Sequence, residues 1–284
     1  MLERHDLVLC AGTVLRAPLA ERIEAAAAAG FAAISLWPDD YKRARAAGTT
    51  DADLRAMLDH HGLAVAELDH VSRWLPGVDG ALPPVGHALD DLLAIADAVG
   101  GRSVNVVELF GQRAPVEVAA AAFAGLCDRA AGHGLLVHLE FLPWSAIPDL
   151  ATAWEIVRLA DRPNGGLMID SWHHLRSRQG HAALRAVPGA RITGLQLSDA
   201  PAEPEGHILD ETLRRRRLPG DGDGDLVELV RILDEIGCTA PVGVEVFSEE
   251  LAALPAAEVA RRAAQATRAV LDRARRGAAA RGAS

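Results

Sequence analysis

Eight short apolar runs alternate with helix-like segments along the whole of this chain, and few architectures accept that order. The strand-like runs are LVLCAG (7–12), AAISL (32–36), LAVAEL (63–68), RSVNVVEL (102–109), LLVHLE (135–140), GLMID (166–170), ITGLQL (192–197) and PVGVEV (241–246). Between them the pattern predicts helices over Leu15–Ala29, Asp51–His61, Gly86–Val99, Pro115–Gly132, Pro148–Ala160, Gly180–Ala186, Gly224–Ile236 and Pro255–Arg275. Several of these segments end in a glycine that leads into the next run, as in AAAAAGFAAISL and LDHHGLAVAEL. Glycine there takes the left-handed conformation that stops a helix. Strict alternation implies parallel strands joined by crossover helices. An open sheet of that kind would carry a glycine-rich phosphate loop after its first strand, whereas LCAGTVLRAPL has one glycine and no such fingerprint. The expectation is therefore α/β, a single (β/α)8 TIM barrel over 1–276, with 277–284 a disordered C-terminal tail.

Charge and composition narrow the function classes. Lys and Arg number 29 against 39 Asp and Glu, a net charge of −10, which disfavours nucleic-acid binding because that needs basic surface to displace counterions. No uninterrupted apolar stretch reaches the ~18 residues of a membrane span. The start, MLERHDLVLC, lacks a basic segment followed by an apolar one, so no secretory signal is expected. Cys10, Cys127 and Cys238 are far apart and form no CxxC pair, which fits a reducing, cytoplasmic setting. Partners reduce to a small molecule, with no nucleic acid and no membrane; a homo-oligomer is compatible with everything in the sequence.

Barrels of this kind gather their chemistry at the C-terminal ends of the strands. The first two ends offer only Gly12 and the Leu36-Trp37 pair, the third offers Glu67 and Asp69, and the fourth Glu108. Then Glu140, Asp170, Gln196 and Glu245 close four consecutive runs, so a closed barrel makes them neighbours. Alternation turns His138 inward with Glu140, Met168 with Asp170, Gly194 with Gln196 and Gly243 with Glu245. Singly, each acid is as well explained by capping a helix or pairing with a loop arginine. Together, several carboxylates in a half-buried mouth are costly unless protons or a cation neutralise them. One divalent ion is the economical answer, and oxygen ligands favour Mn2+ or Mg2+ ahead of Co2+, Zn2+ or Fe2+.

The stretches HLEFLPW (138–144), MIDSWHHLRS (168–177), LQLSDAP (195–201), RRLPGDGDGDL (216–226) and PVGVEVFSEEL (241–251) resemble the xylose-isomerase-like barrels, the sugar phosphate isomerase/epimerase superfamily. They cover most of Leu135–Leu251; the N-terminal half resembles the family only in element order and the phrase IEAAAAAGFAAISLW. The resemblance implies a Glu, an Asp, a His and a Glu holding one divalent metal, which map onto Glu140, Asp170, Gln196 and Glu245. Gln196 stands where the family usually has histidine; its amide oxygen can coordinate but is a weaker neutral ligand than imidazole, which should lower affinity for softer ions. His173 and Arg217 match family residues that contact substrate. Asp69, His70 and Glu108 at nearby strand ends, and Trp144 among the loop tryptophans, are further substrate-binding candidates. His138 reads as a satisfied histidine one layer below the metal, and Asp199 as either a loop-capping or a catalytic residue.

The resemblance and the strand-end acids together imply a metal-dependent isomerase or epimerase of a keto-sugar or related hydroxy-ketone. The ion would chelate a hydroxyl and the adjacent carbonyl, and Glu140 and Glu245 would move protons on either side of an enediolate. Departure of a β-hydroxyl from the same enediolate would instead give a dehydratase or lyase of the inosose or dehydroshikimate type. A non-catalytic barrel subunit or binding module is the alternative of another class, hinted at only by Gln196. A multi-metal endonuclease acting at abasic sites is disfavoured by the histidine-poor ligand set and the acidic charge.

Overall fold

Apolar runs of three to eight residues, buried at nearly every position, form the staves of a closed parallel barrel in the computed structural model, which describes residues 2–76 and 86–282. The strands are β1 (Leu7–Leu9), β2 (Ala33–Leu36), β3 (Ala64–Val71), β4 (Ser103–Val107), β5 (Leu136–Glu140), β6 (Gly165–Asp170), β7 (Ile192–Leu197) and β8 (Val242–Val244). Each pairs in parallel with its sequence neighbour, and β8 closes on β1 through Leu7↔Val242, Val8↔Gly243 and Leu9↔Val244. The expected (β/α)8 barrel is the fold.

Helices pack outside the barrel for the reasons the sequence suggests. Leu226–Glu235 buries Leu226, Leu229, Val230 and Leu233, one face at helical spacing, and Asp225 caps its start by accepting from Glu228 N. Thr50 and Asp53 form a reciprocal cap on Asp51–His61. The main core lies between strands and helices, where Leu9, Ile34, Leu68, Val137, Leu167 and Val244 meet helix residues such as Ile23, Leu92, Phe123 and Ile156. A small cluster of Val8, Ala33 and Ala66 stands apart from it.

Short helices at Pro38–Ala46, Ser171–Arg176, Ile208–Arg214 and Glu249–Ala252 go beyond the expected eight. Each falls in a segment that leaves the C-terminal end of a strand, so the extra structure is concentrated over the mouth. The segment expected as helix at Gly180–Ala186 is a tighter 3-10 turn, His181–Ala186. The final helix runs Ala256–Gly282, so the stretch expected as a tail is helical as far as it is described; residues 283 and 284 lie outside the described residues. No helix among the described residues is long and apolar enough to cross a membrane.

Register positions the mouth residues. Glu140 aligns with Met168, Asp170 with Gln196, and Gln196 with Gly243 two residues before Glu245. Gly243 is required by space rather than by backbone angle, and Gly194 leaves room for the Met168 side chain. A Cβ on Gly194 would sit 2.4 Å from Met168 Cε, and one on Gly243 would sit 2.8 Å from Leu195 O and 3.0 Å from Cys10 Sγ.

Candidate metal centre

Asp170 ends β6 and does two structural jobs at once. Its Oδ1 caps Ser171–Arg176 by accepting from Trp172 N (2.7 Å) and His173 N (3.0 Å), which leaves Oδ2 pointing the other way. The same cap brings His173 over the barrel. Its Nε2 lies 3.4 Å from Glu140 Oε1, and ligand atoms of Glu140, Asp170 and His173 all fall within 4.8 Å of one another. All three side chains are buried. Burial pulls the His173 pKa down to about 3, against the pull of Asp170, so the imidazole is neutral at physiological pH and able to ligate.

Glu140 and Glu245 stand in unusual surroundings for carboxyls. Burial first, then the charges of Asp170, Glu245 and Asp69, push the Glu140 pKa well above the ordinary range. Burial likewise raises Glu245 to about 8, although the Arg216 guanidinium opposes the rise. Asp170 goes the other way: burial would raise it, but Arg216, His173 and the backbone N–H of His173 together hold it below its usual value. Five carboxyls (Glu67, Asp69, Glu140, Asp170 and Glu245) are buried at this end of the barrel. One guanidinium, that of Arg216, stands against Asp170 and Glu245. Protons or a cation must supply the balance.

Arg216 enters where the sequence pointed to Arg217. The chain around it is extended and bridged, Asp199 to Arg217 on one side and Arg215 to Ser248 on the other, so successive side chains alternate in direction. Arg217 is sent outward, with side-chain exposure of 39%, and pairs with Glu205 at 3.3 Å. Arg216 is sent inward. It donates to Asp170 Oδ2 at 2.7 Å, comes within 3.6 Å of Glu245 Oε2, and lies between the rings of Trp172 (5.3 Å) and Phe247 (5.0 Å). Two aromatic faces and a buried carboxylate suit a planar, weakly hydrated cation.

The remaining expected residues divide. Asp69 lies in the mouth, where it accepts from Trp37 Nε1 (3.0 Å) and Asn105 Nδ2 (3.1 Å). His70 beside it is half-buried, with Nδ1 3.6 Å from Asp69 Oδ1. Trp144 packs edge-on against His173 at 5.3 Å, and Trp37 stacks on Phe247 at 6.1 Å. Glu108 is closed to a ligand: it is 1% exposed and accepts from Phe110 N, Gln112 N and Ala146 N, tying the loops after β4 and β5 together. A carboxylate saturated by three backbone N–H groups is a loop anchor. Asp199 is likewise a loop anchor, accepting from Ala200, Gly220 and Gly224 N–H. His138 is buried and bonded through Nδ1 to Thr193 Oγ1 at 2.7 Å.

Gln196 is buried at the end of β7, where its Nε2 donates to Glu67 Oε1 at 3.0 Å. Its Oε1 is buried with no hydrogen-bond partner. Such an orphan acceptor is costly unless something completes it, and a cation held by Glu140, Asp170 and His173 is the kind of group that would. The residues present therefore fit a divalent metal. Sequence reasoning passed over Asn105, whose Nδ2 reaches Glu140 Oε2 at 2.6 Å as well as Asp69. The signal was an amide inside the apolar run SVNVV, which no water-facing strand position required.

Comparison with known proteins identifies the fold family. The family model described as Xylose isomerase-like TIM barrel matches residues 23–270. A 3-dehydroshikimate dehydratase of Pseudomonas putida is 26% identical over 258 residues, 85% of this chain and 38% of that protein. An inosose isomerase of Bacillus velezensis is 32% identical over 150 residues, 52% of each chain. The chain thus spans about half or less of these relatives' length. The crystal structure of the IOLI protein with a bound zinc atom superimposes with a TM-score of 0.83, at 23% identity over 93% of this chain and 97% of that one.

Proposed function

The chain belongs to the xylose isomerase-like TIM barrels, and within that family we propose that it is a divalent-metal-dependent isomerase or epimerase of a keto-sugar or related hydroxy-ketone. The observation that carries this reading is the buried Glu140, Asp170 and His173 cluster, whose ligand atoms lie within 4.8 Å of one another. In it, Glu140, Asp170, Glu245 and Gln196 hold the ion, with His173 either joining them or contacting substrate. A Mn2+ or Mg2+ ion held there would polarise a substrate carbonyl and stabilise negative charge developing on its oxygen.

The rest of the work falls to side chains. Glu245, buried at the end of β8 beside Arg216, takes a proton from the carbon next to the carbonyl and gives it back. Glu140, aimed by the 2.6 Å hydrogen bond from Asn105, serves on the other side. Arg216, fixed between two rings and bonded to Asp170 and Thr212, balances negative charge from behind the carboxylates while the proton is in transit. Trp37, Trp144 and Phe247 shield the mouth from water and offer apolar faces to the carbon skeleton, which favours a cyclic or partly apolar hydroxy-ketone. Asp69 and His70 receive hydroxyl groups at the rim.

The experiment is a screen of keto-sugars and cyclitols with Mn2+-loaded protein in deuterated solvent. Deuterium appearing at the carbon next to the carbonyl supports the reading; metal uptake without exchange in any substrate class would sink it in favour of a binding module. A second reading, loss of a β-hydroxyl as water, is favoured by one observation: the match spanning 85% of this chain is to a dehydratase. It predicts a conjugated product with new ultraviolet absorbance, which simple epimerisation does not give.

A further inference from the structure

Glu67 takes no part in the mechanism above, yet it is buried beneath the mouth and holds the one amide of the proposed ligand set. The two ends of a glutamine amide differ: the oxygen coordinates cations, whereas the nitrogen carries two hydrogens and repels them. Which end faces the ion depends on what the other end binds. Glu67 Oε1 accepts from Gln196 Nε2 at 3.0 Å, and it is an acceptor whether the carboxyl is ionised or protonated. That contact uses the nitrogen end and leaves Oε1 as the buried, unpartnered end.

Glu67 packs against a buried, neutral histidine. Its Oε2 lies 3.8 Å from His138 Nε2, and His138 is anchored through Nδ1 to Thr193 Oγ1 on β7, the strand that carries Gln196. Arg102, just before β4, donates through Nη1 to Thr193 O at 3.0 Å, so Thr193 is tied from two sides. We propose that Glu67 is a positioning residue that pins Gln196 oxygen-first and so makes the site select a hard divalent cation over a softer one. The proposal rests on the reading of Gln196 as a metal ligand.

Calorimetric titration with Mn2+ and with Zn2+ tests it on the purified, metal-stripped protein. Glu67→Gln keeps an oxygen acceptor, so its Mn2+ affinity should stay within about threefold of the original, while Glu67→Leu removes the acceptor and should cost ~10–100-fold, the usual effect of losing a group that orients a ligand. The Mn2+ preference over Zn2+ should fall in Glu67→Leu alone. Gln196→Glu has oxygen at both ends, so adding Glu67→Leu to it should cost nothing or strengthen binding. Glu67→Met carries the same comparison if Glu67→Leu does not fold. Equal losses in Glu67→Gln and Glu67→Leu would show that charge, not orientation, matters, and would overturn the proposal. So would an undiminished affinity in Glu67→Leu, or a loss that persists with Gln196→Glu. Absence of Mn2+ binding by the unaltered protein would instead remove the metal reading itself, and this proposal with it.

Discussion

Loading the mouth with a divalent ion should expel protons, and the number follows from the site. In the metal-free protein Glu245 titrates near pH 8, so at pH 7 it is ~90% protonated by simple titration. Glu140 is pushed well above its ordinary value and adds up to one more proton. Asp170 is held low and His173 has its pKa near 3, so neither contributes at neutral pH. Binding at pH 7 should therefore release between about one and two protons per ion, and apparent affinity should fall ~10–100-fold for each pH unit below 7. The assay is Mn2+ titration in two non-chelating buffers of different ionisation enthalpy, repeated between pH 6 and 9. The pH dependence should become less steep above about pH 8 as Glu245 loses its proton unaided, and Glu245→Gln should release about one proton fewer. No buffer dependence at pH 7, together with affinity constant from pH 6 to 8, would refute the claim that these carboxyls are proton-loaded ligands.

Three further outcomes are expected. Glu140→Gln and Glu245→Gln should each lower turnover by at least ~100-fold, in line with loss of an acid or base, with little change in the circular dichroism spectrum; near-normal rates in either variant would take that residue out of proton transfer. Arg216→Met should destabilise the metal-free protein by roughly 3 kcal/mol, because Asp170 is left buried without its partner, and Mn2+ should recover most of the loss; an unchanged melting temperature would mean that the ion pair is not holding the loop. The metal-free protein should be most stable between about pH 4.5 and 6.5. His138 and His173, their pKa values drawn down to about 3 by burial, and His174, drawn down to about 4, stay unprotonated through that range when folded, so acid below 6.5 favours the unfolded chain. Glu67, Glu140 and Glu245, all raised by burial, contribute stability that is complete below 4.5 and lost as pH climbs, through about 8 for Glu245. The two trends offset one another between those limits. Melting temperatures that rise steadily from pH 5 to 9 would contradict the raised carboxyls.

What the sequence revealed and what it concealed have the same physical origin. Strand order and the residues at strand ends were legible because burial imposes an apolar run and closure of the barrel imposes neighbourhood, so Glu140, Asp170, Gln196 and Glu245 fall together without knowledge of any loop. The direction of Arg216 was not legible. In a run of four arginines, nothing local says which one turns inward; that is set by backbone pairing to Asp199 and Phe247, residues 17 and 31 positions away. Glu108 was misread for a related reason. An acid after a strand looks alike whether its oxygens face substrate or are consumed by the N–H groups of Phe110, Gln112 and Ala146. The histidine that pattern would place at Gln196 can be compared with the amide in the same terms. An imidazole offers a nitrogen ligand at the end of β7, whereas an amide must be told which end to present. If glutamine ligates there it needs an acceptor beneath it, and Glu67 Oε1, 3.0 Å from Gln196 Nε2, is in position to be that acceptor.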